Sequence, residues 1–116
     1  MMWPDLSRVA VFVRPGHTDM RKQVNGLAMI AEEQMELNPL SGAVFVFCNR
    51  QRRIIKALYW DGTGFALWMK KLESDRFPWP QSEQAAREIT AEQLSMLLRG
   101  IDFWQAHESK KWRRIS

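Results

Sequence analysis

Four basic residues, Arg50, Arg52, Arg53 and Lys56, fall within seven positions with no acid among them. Guanidinium forks match phosphate oxygens and the guanine edge, so a run of this kind suits nucleic acid. Lys70, Lys71 and Arg76 follow further along, and Lys110, Lys111, Arg113 and Arg114 crowd the carboxyl end. The same residue types also serve in a solvated turn that keeps a sheet edge from aggregating. Composition leaves both readings open. Trp60 and Trp68, with Tyr59 and Phe65 close by, lie among these cations. Interleaved aromatics and bases suit the stacking of single strands, whereas most aromatics of this size are core.

Catalytic chemistry has little to stand on. His17 and His107 lie far apart, and neither forms a metal-ligand spacing with a cysteine. His17 and Asp19 resemble a base and its orienter, but both sit where a helix start explains them. Asp19, Asp61 and Glu73 show no spacing suited to magnesium. No glycine-rich phosphate loop or nucleophile elbow is present. The expectation is a protein without catalytic residues, metal or cofactor. Cys48 ends the apolar run from Ala43 and is expected as a buried, reduced thiol.

The chain has 116 residues, 46% hydrophobic and 26% charged, which describes a globular protein rather than a disordered one. One α+β domain over residues 1–104 is expected, followed by a basic, flexible tail over 105–116. Seventeen basic and thirteen acidic residues give a net charge of +4. Acids gather at Glu32, Glu33 and Glu36, away from the basic runs. Segregation of this kind creates basic patches that attract phosphate. The amino terminus lacks the pattern of a signal peptide, and no apolar run spans a bilayer, so a cytoplasmic location is expected.

Residues 8–13 predict a strand, stopped at Arg14-Pro15-Gly16. Thr18 is expected to cap a helix with Asp19 in its first turn. Met20, Val24, Leu27, Ala28, Ala31 and Met35 supply its apolar stripe, and the helix ends by Asn38-Pro39. Residues 43–48 and 54–60 predict a hairpin with the arginine-rich Asn49 to Arg53 at its tip. Asp61-Gly62 turns into a further strand over 65–72. Phe77-Pro78-Trp79-Pro80 reads as an edge or loop, with Trp79 exposed to anchor a protein partner. Thr90 and Gln93 have capping-box spacing, ahead of an apolar stripe through Leu94, Leu97, Leu98 and Ile101 and an expected stop at Gly100. The expected fold is an antiparallel β-meander of four to five strands, with one helix on a face and a second, C-terminal helix.

Gly16-His17-Thr18-Asp19-Met20-Arg21-Lys22 and Gly26-Leu27-Ala28 resemble the opening signature of the TnpB-type, Orf2-like accessory proteins of insertion sequence family 66. Phe45-Val46-Phe47, Asn49-Arg50 and the run from Ile55 to Phe65 resemble that family's central block. Leu67 to Glu73, Arg76 to Pro80 and Gln93 to Asp102 continue the likeness in order. Lys71 stands where the family usually has arginine, which keeps the charge and loses the bidentate fork. The resemblance implies an accessory role in transposition beside a separate transposase, with no established catalytic residues.

Two functions are therefore expected from the sequence. One is DNA binding at the element's ends or in the transposition complex, through Arg50, Arg52, Arg53, Lys56, Lys70, Lys71 and Arg76. The other is docking on the transposase through His17, Asp19, Arg21, Lys22 or Trp79.

Overall fold

The computed structural model describes residues 5–81 and 87–104. The tail over 105–116, with its four cations and His107, lies outside the described residues, as does the amino-terminal Met1 to Pro4. Seven elements follow in order: β1 (Val11–Val13), α1 (Val24–Glu33), β2 (Val44–Cys48), β3 (Ile54–Trp60), β4 (Phe65–Lys71), β5 (Arg87–Ile89) and α2 (Ala91–Leu98). The strands form one sheet in the order β4-β3-β2-β1-β5. The class is α+β, as expected, and three of the four strand pairings are antiparallel.

The exception is β1, which runs parallel to β2 with Val11 beside Val44. A pure meander fails here because α1 lies between the two strands in the chain. A helical crossover returns the chain in the direction it left, so its flanking strands run parallel. The short β5, unpredicted, pairs with the far side of β1. Its Arg-Glu-Ile sequence carries a single apolar residue and no readable alternation.

Alternation along the strands divides the interior into two cores, one on each sheet face. Phe45, Phe47 and Leu58 face α1, where they meet Leu27, Ile30 and Ala31. Val44, Val46, Ile55, Ala57 and Tyr59 face the other way, against Phe77, Trp79 and Leu94 and Leu97 of α2. A central strand covered on both faces needs apolar residues throughout, and all five residues of β2 are buried. α2 has the expected capping box between Thr90 and Gln93. It ends in a Schellman turn: Gly100 takes φ +79°, its N–H donates to the Leu97 carbonyl, and the Ile101 N–H donates to that of Met96.

α1 departs from the reading of the sequence. It starts at Val24, six residues after the expected cap, and Gln23 caps it without a side-chain hydrogen bond. Thr18 is buried at 3% exposure and caps nothing. Its N–H donates to the Cys48 carbonyl at 2.8 Å, and its Oγ1 accepts from Arg14 Nη1 at 3.0 Å. The Met20 and Lys22 carbonyls, which a longer helix would use internally, accept instead from Lys56 Nζ at 2.8 and 3.0 Å. Tertiary bonds thus hold residues 18–22 as a loop. Among the described residues, no helix is long and apolar enough to cross a membrane.

Candidate nucleic-acid interface

The tip between β2 and β3 is built by Asn49. Its Oδ1 accepts from the Arg53 and Ile54 N–H groups at 2.8 and 3.0 Å, while its carbonyl accepts from the Arg52 N–H. A side-chain acceptor that closes the turn in this way satisfies the backbone locally and leaves the neighbouring side chains to point outward. Arg52 sits at φ +60°, a left-handed conformation that costs a non-glycine residue about 1 kcal/mol. The tip is also tied sideways. The Arg52 carbonyl accepts from the Phe77 N–H at 2.7 Å, and the Arg53 carbonyl accepts from that of Leu72 at 2.8 Å.

Those two bonds bring separated parts of the chain together. Arg50, Arg52 and Arg53 on the tip stand beside the end of β4 and the turn after it, with Lys71 and Arg76. Arg50, Arg53, Lys71 and Arg76 are exposed and Arg52 is half-buried. Among the described residues, none of the five forms an ion pair, although Glu73 and Asp75 lie in the intervening turn. That same turn, with Arg76, Arg99 and Gly100, lines a surface hollow of about 480 Å³. Arg99 therefore joins this end of the molecule, placed there by α2; as a single helix-surface arginine it carried no sequence signal.

Lys56 and Lys70 depart from the expected set. Lys56 is buried at 4% exposure, with its ammonium committed to the 20–22 loop. Lys70 Nζ donates to the Leu98 carbonyl at 2.8 Å and so caps the carboxyl end of α2, where a cation is favoured. Both follow from strand alternation, which turns Lys56 toward α1 and Lys70 toward α2, whereas the tip has no covered face.

The loop from Arg14 to Lys22 borders the tip through the Thr18–Cys48 bond. Its cohesion comes largely from Arg14, which the sequence reading passed over. Arg14 donates to the His17 carbonyl at 2.9 Å, to Thr18 Oγ1 and to Gln34 Oε1. Burial pushes the Arg14 pKa down from its ordinary value. Trp79, expected at the surface, is buried at 4% exposure. Its indole N–H donates to the Arg14 and Gly16 carbonyls at 3.0 and 2.8 Å, while Gly16 N–H donates to Pro80. Its flanking prolines hold the segment extended, and that extended segment lies over the α2-side core. Asp19 and Arg21 pair with each other at 2.7 Å, and the Arg21 hydrogen bonds lower the Asp19 pKa to about 2. His17, Arg21 and Lys22 remain exposed.

Trp60 and Trp68 form no platform beside the tip arginines. Trp60 meets Phe65 edge to face at the far end of β3, with ring centroids 5.1 Å apart. Trp68 rests against the α2-side core. Cys48 is buried, and burial pushes its thiol up to about 12. Among the described residues, no cluster of three or more His, Cys, Asp or Glu side chains is arranged to hold a metal.

A profile of the family described as "IS66 Orf2 like protein" matches residues 9–108, and the chain belongs to that family. The family is an accessory, non-catalytic one associated with transposition of insertion sequences. Two relatives come from Sinorhizobium fredii (strain NBRC 101917 / NGR234). Uncharacterized protein y4hO is 43% identical over 112 residues, covering 97% of this chain and 96% of its own. Uncharacterized protein y4jC is 32% identical over 107 residues, covering 92% and 89%. No solved structure matches the chain.

Proposed function

We propose that this protein serves transposition by binding duplex DNA without cleaving it, through the phosphates that face its arginine tip. The observation that carries this reading is the set of five cations without carboxylate partners among the described residues: Arg50, Arg52 and Arg53 on the tip, and Lys71 and Arg76 on the adjoining end of β4 and the turn after it, which backbone bonds tie to the tip. An anchored tip presents its charges with little ordering cost on binding, and guanidinium forks engage phosphate in pairs. The partners are the DNA of the element's ends and, in the assembled complex, the transposase.

Salt dependence tests it. Each phosphate neutralised on a duplex contributes about −0.9 to the log-log slope of affinity against salt, so five contacts give roughly −4.5. Fluorescence anisotropy with a terminal-repeat duplex, for the full chain and for a chain cut after Trp104, separates the tip from the basic tail. Retention of most of the slope by the shortened chain supports the tip. Loss of all binding on truncation, with Arg53→Ala silent in the full chain, assigns the affinity to the tail. Binding that requires added transposase favours an adaptor role.

A further inference from the structure

β4 is an edge strand of seven residues, and its inner side is fully used by β3. The Asp61 N–H donates to the Gly64 carbonyl and the Leu72 N–H to that of Arg53. Antiparallel ladders alternate, so Gly64, Ala66, Trp68, Lys70 and Leu72 face β3, and the peptide groups of Phe65, Leu67, Met69 and Lys71 face outward. None of these four outward groups finds a backbone partner among the described residues. The strand is not blunted along its middle: Met69 is 57% exposed, and Phe65, Ala66, Leu67 and Trp68 are half-buried. A long, apolar edge is a template for another strand. The opposite edge, β5, has only three residues.

We propose that β4 pairs antiparallel with β4 of a second copy of this chain, about a two-fold axis at Trp68, to make a continuous ten-stranded sheet. This register alone uses all four outward peptide groups. It sets Leu67 opposite the partner's Met69 and Phe65 opposite the partner's Lys71, so the exposed methionine is covered by an apolar neighbour. Charge selects the antiparallel direction. β4 carries Lys70 and Lys71 at one end and follows the Asp61 turn at the other. Antiparallel pairing places each exposed Lys71 opposite the partner's Phe65, next to the Asp61–Gly64 turn, whereas parallel pairing in register would set Lys71 against Lys71. An isologous contact of this kind closes on itself and leaves no reactive edge on β4. It also points the two arginine tips in opposite directions.

The interface is small, so a dissociation constant in the micromolar range is expected. Sedimentation equilibrium of the full chain over a concentration series, with amide exchange followed by NMR, tests the proposal without reference to DNA. The expected result is a monomer–dimer equilibrium in which the Leu67 and Met69 amides gain protection as the dimer forms. Met69→Pro removes one outward N–H at an edge position that tolerates proline. Met69→Lys preserves the strand and sets a lysine against the partner's Leu67. Either should weaken the dimer about tenfold or more, which is 1.4 kcal/mol. A monomer at every concentration overturns the proposal. So does a dimer whose Leu67 and Met69 amides exchange freely, or one that Met69→Lys leaves intact.

Discussion

Two cation-bearing segments meet at one end of this sheet, and they use their donors in opposite ways. At the loop from Arg14 to Lys22, Arg14 turns inward, and Lys56 and the Trp79 indole turn toward it. Arg14, the Trp79 indole and Lys56 together supply seven hydrogen bonds, six to main-chain or side-chain oxygens of the loop itself and one to Gln34. At the tip the backbone is satisfied by Asn49 and by two neighbouring N–H groups, and the arginine side chains are left outward. The difference teaches that positive charge in a sequence does not by itself mark a binding surface. What marks it is whether the local backbone already has its partners. Where backbone carbonyls lack them, nearby cations are drawn inward, because an unpaired buried carbonyl is costly.

The comparison is sharpest in stability. Trp79→Ala removes a buried ring and the donor shared by Arg14 and Gly16, and should destabilise the fold by roughly 3–5 kcal/mol in urea unfolding. Trp79→Phe should cost less. A surface-like response to Trp79→Ala would break the contrast.

Lys56→Met should cost roughly 1–3 kcal/mol, because the Met20 and Lys22 carbonyls lose their charged donor. Its salt slope for DNA should match that of the parent chain. Arg53→Ala should do the reverse, flattening the slope by about one unit with an unchanged melting temperature. If Lys56→Met flattened the slope and kept its stability, loop and tip would exchange roles.

Arg52→Gly puts a glycine where φ is +60°. Relief of the left-handed conformation, about 1 kcal/mol, offsets the greater freedom of glycine in the unfolded chain. Stability should therefore hold or rise slightly while DNA affinity falls. A loss of both would mean that the Arg52 side chain supports the fold.

Cys48 gives the smallest effect and a control. With the thiol pushed up to about 12 by burial, a thiol reagent at mildly alkaline pH should label it only after unfolding. The sign follows from the raised value. Burial of the neutral thiol supports the fold fully below the unfolded thiol's range near 9, and that support is lost as pH rises from there toward 12. Rapid labelling of the folded chain would show that β2 opens readily.

Much of this molecule is legible from short stretches of chain. The hairpin, the Asp61 turn, the Thr90–Gln93 capping box, the Gly100 stop and the buried thiol each depend on residues within a few positions of one another. Their physics is dihedral preference, capping and alternation, which operate locally. The arginine tip belongs to the same class, since its exposure follows from the Asn49 turn.

The tertiary structure alone decided the rest. Thr18 has the chemistry of a cap, but the Cys48 carbonyl, thirty residues on, claims its N–H. Lys56 reads as one of four clustered cations until strand alternation points it at the carbonyls of Met20 and Lys22. Trp79 between prolines reads as exposed until Arg14 and Gly16 offer acceptors from the other side of the chain. The parallel pairing of β1 with β2 likewise depends on where the α1 crossover lands. A buried donor or acceptor must find a partner somewhere, and no local pattern names a partner that lies thirty to sixty-five residues away.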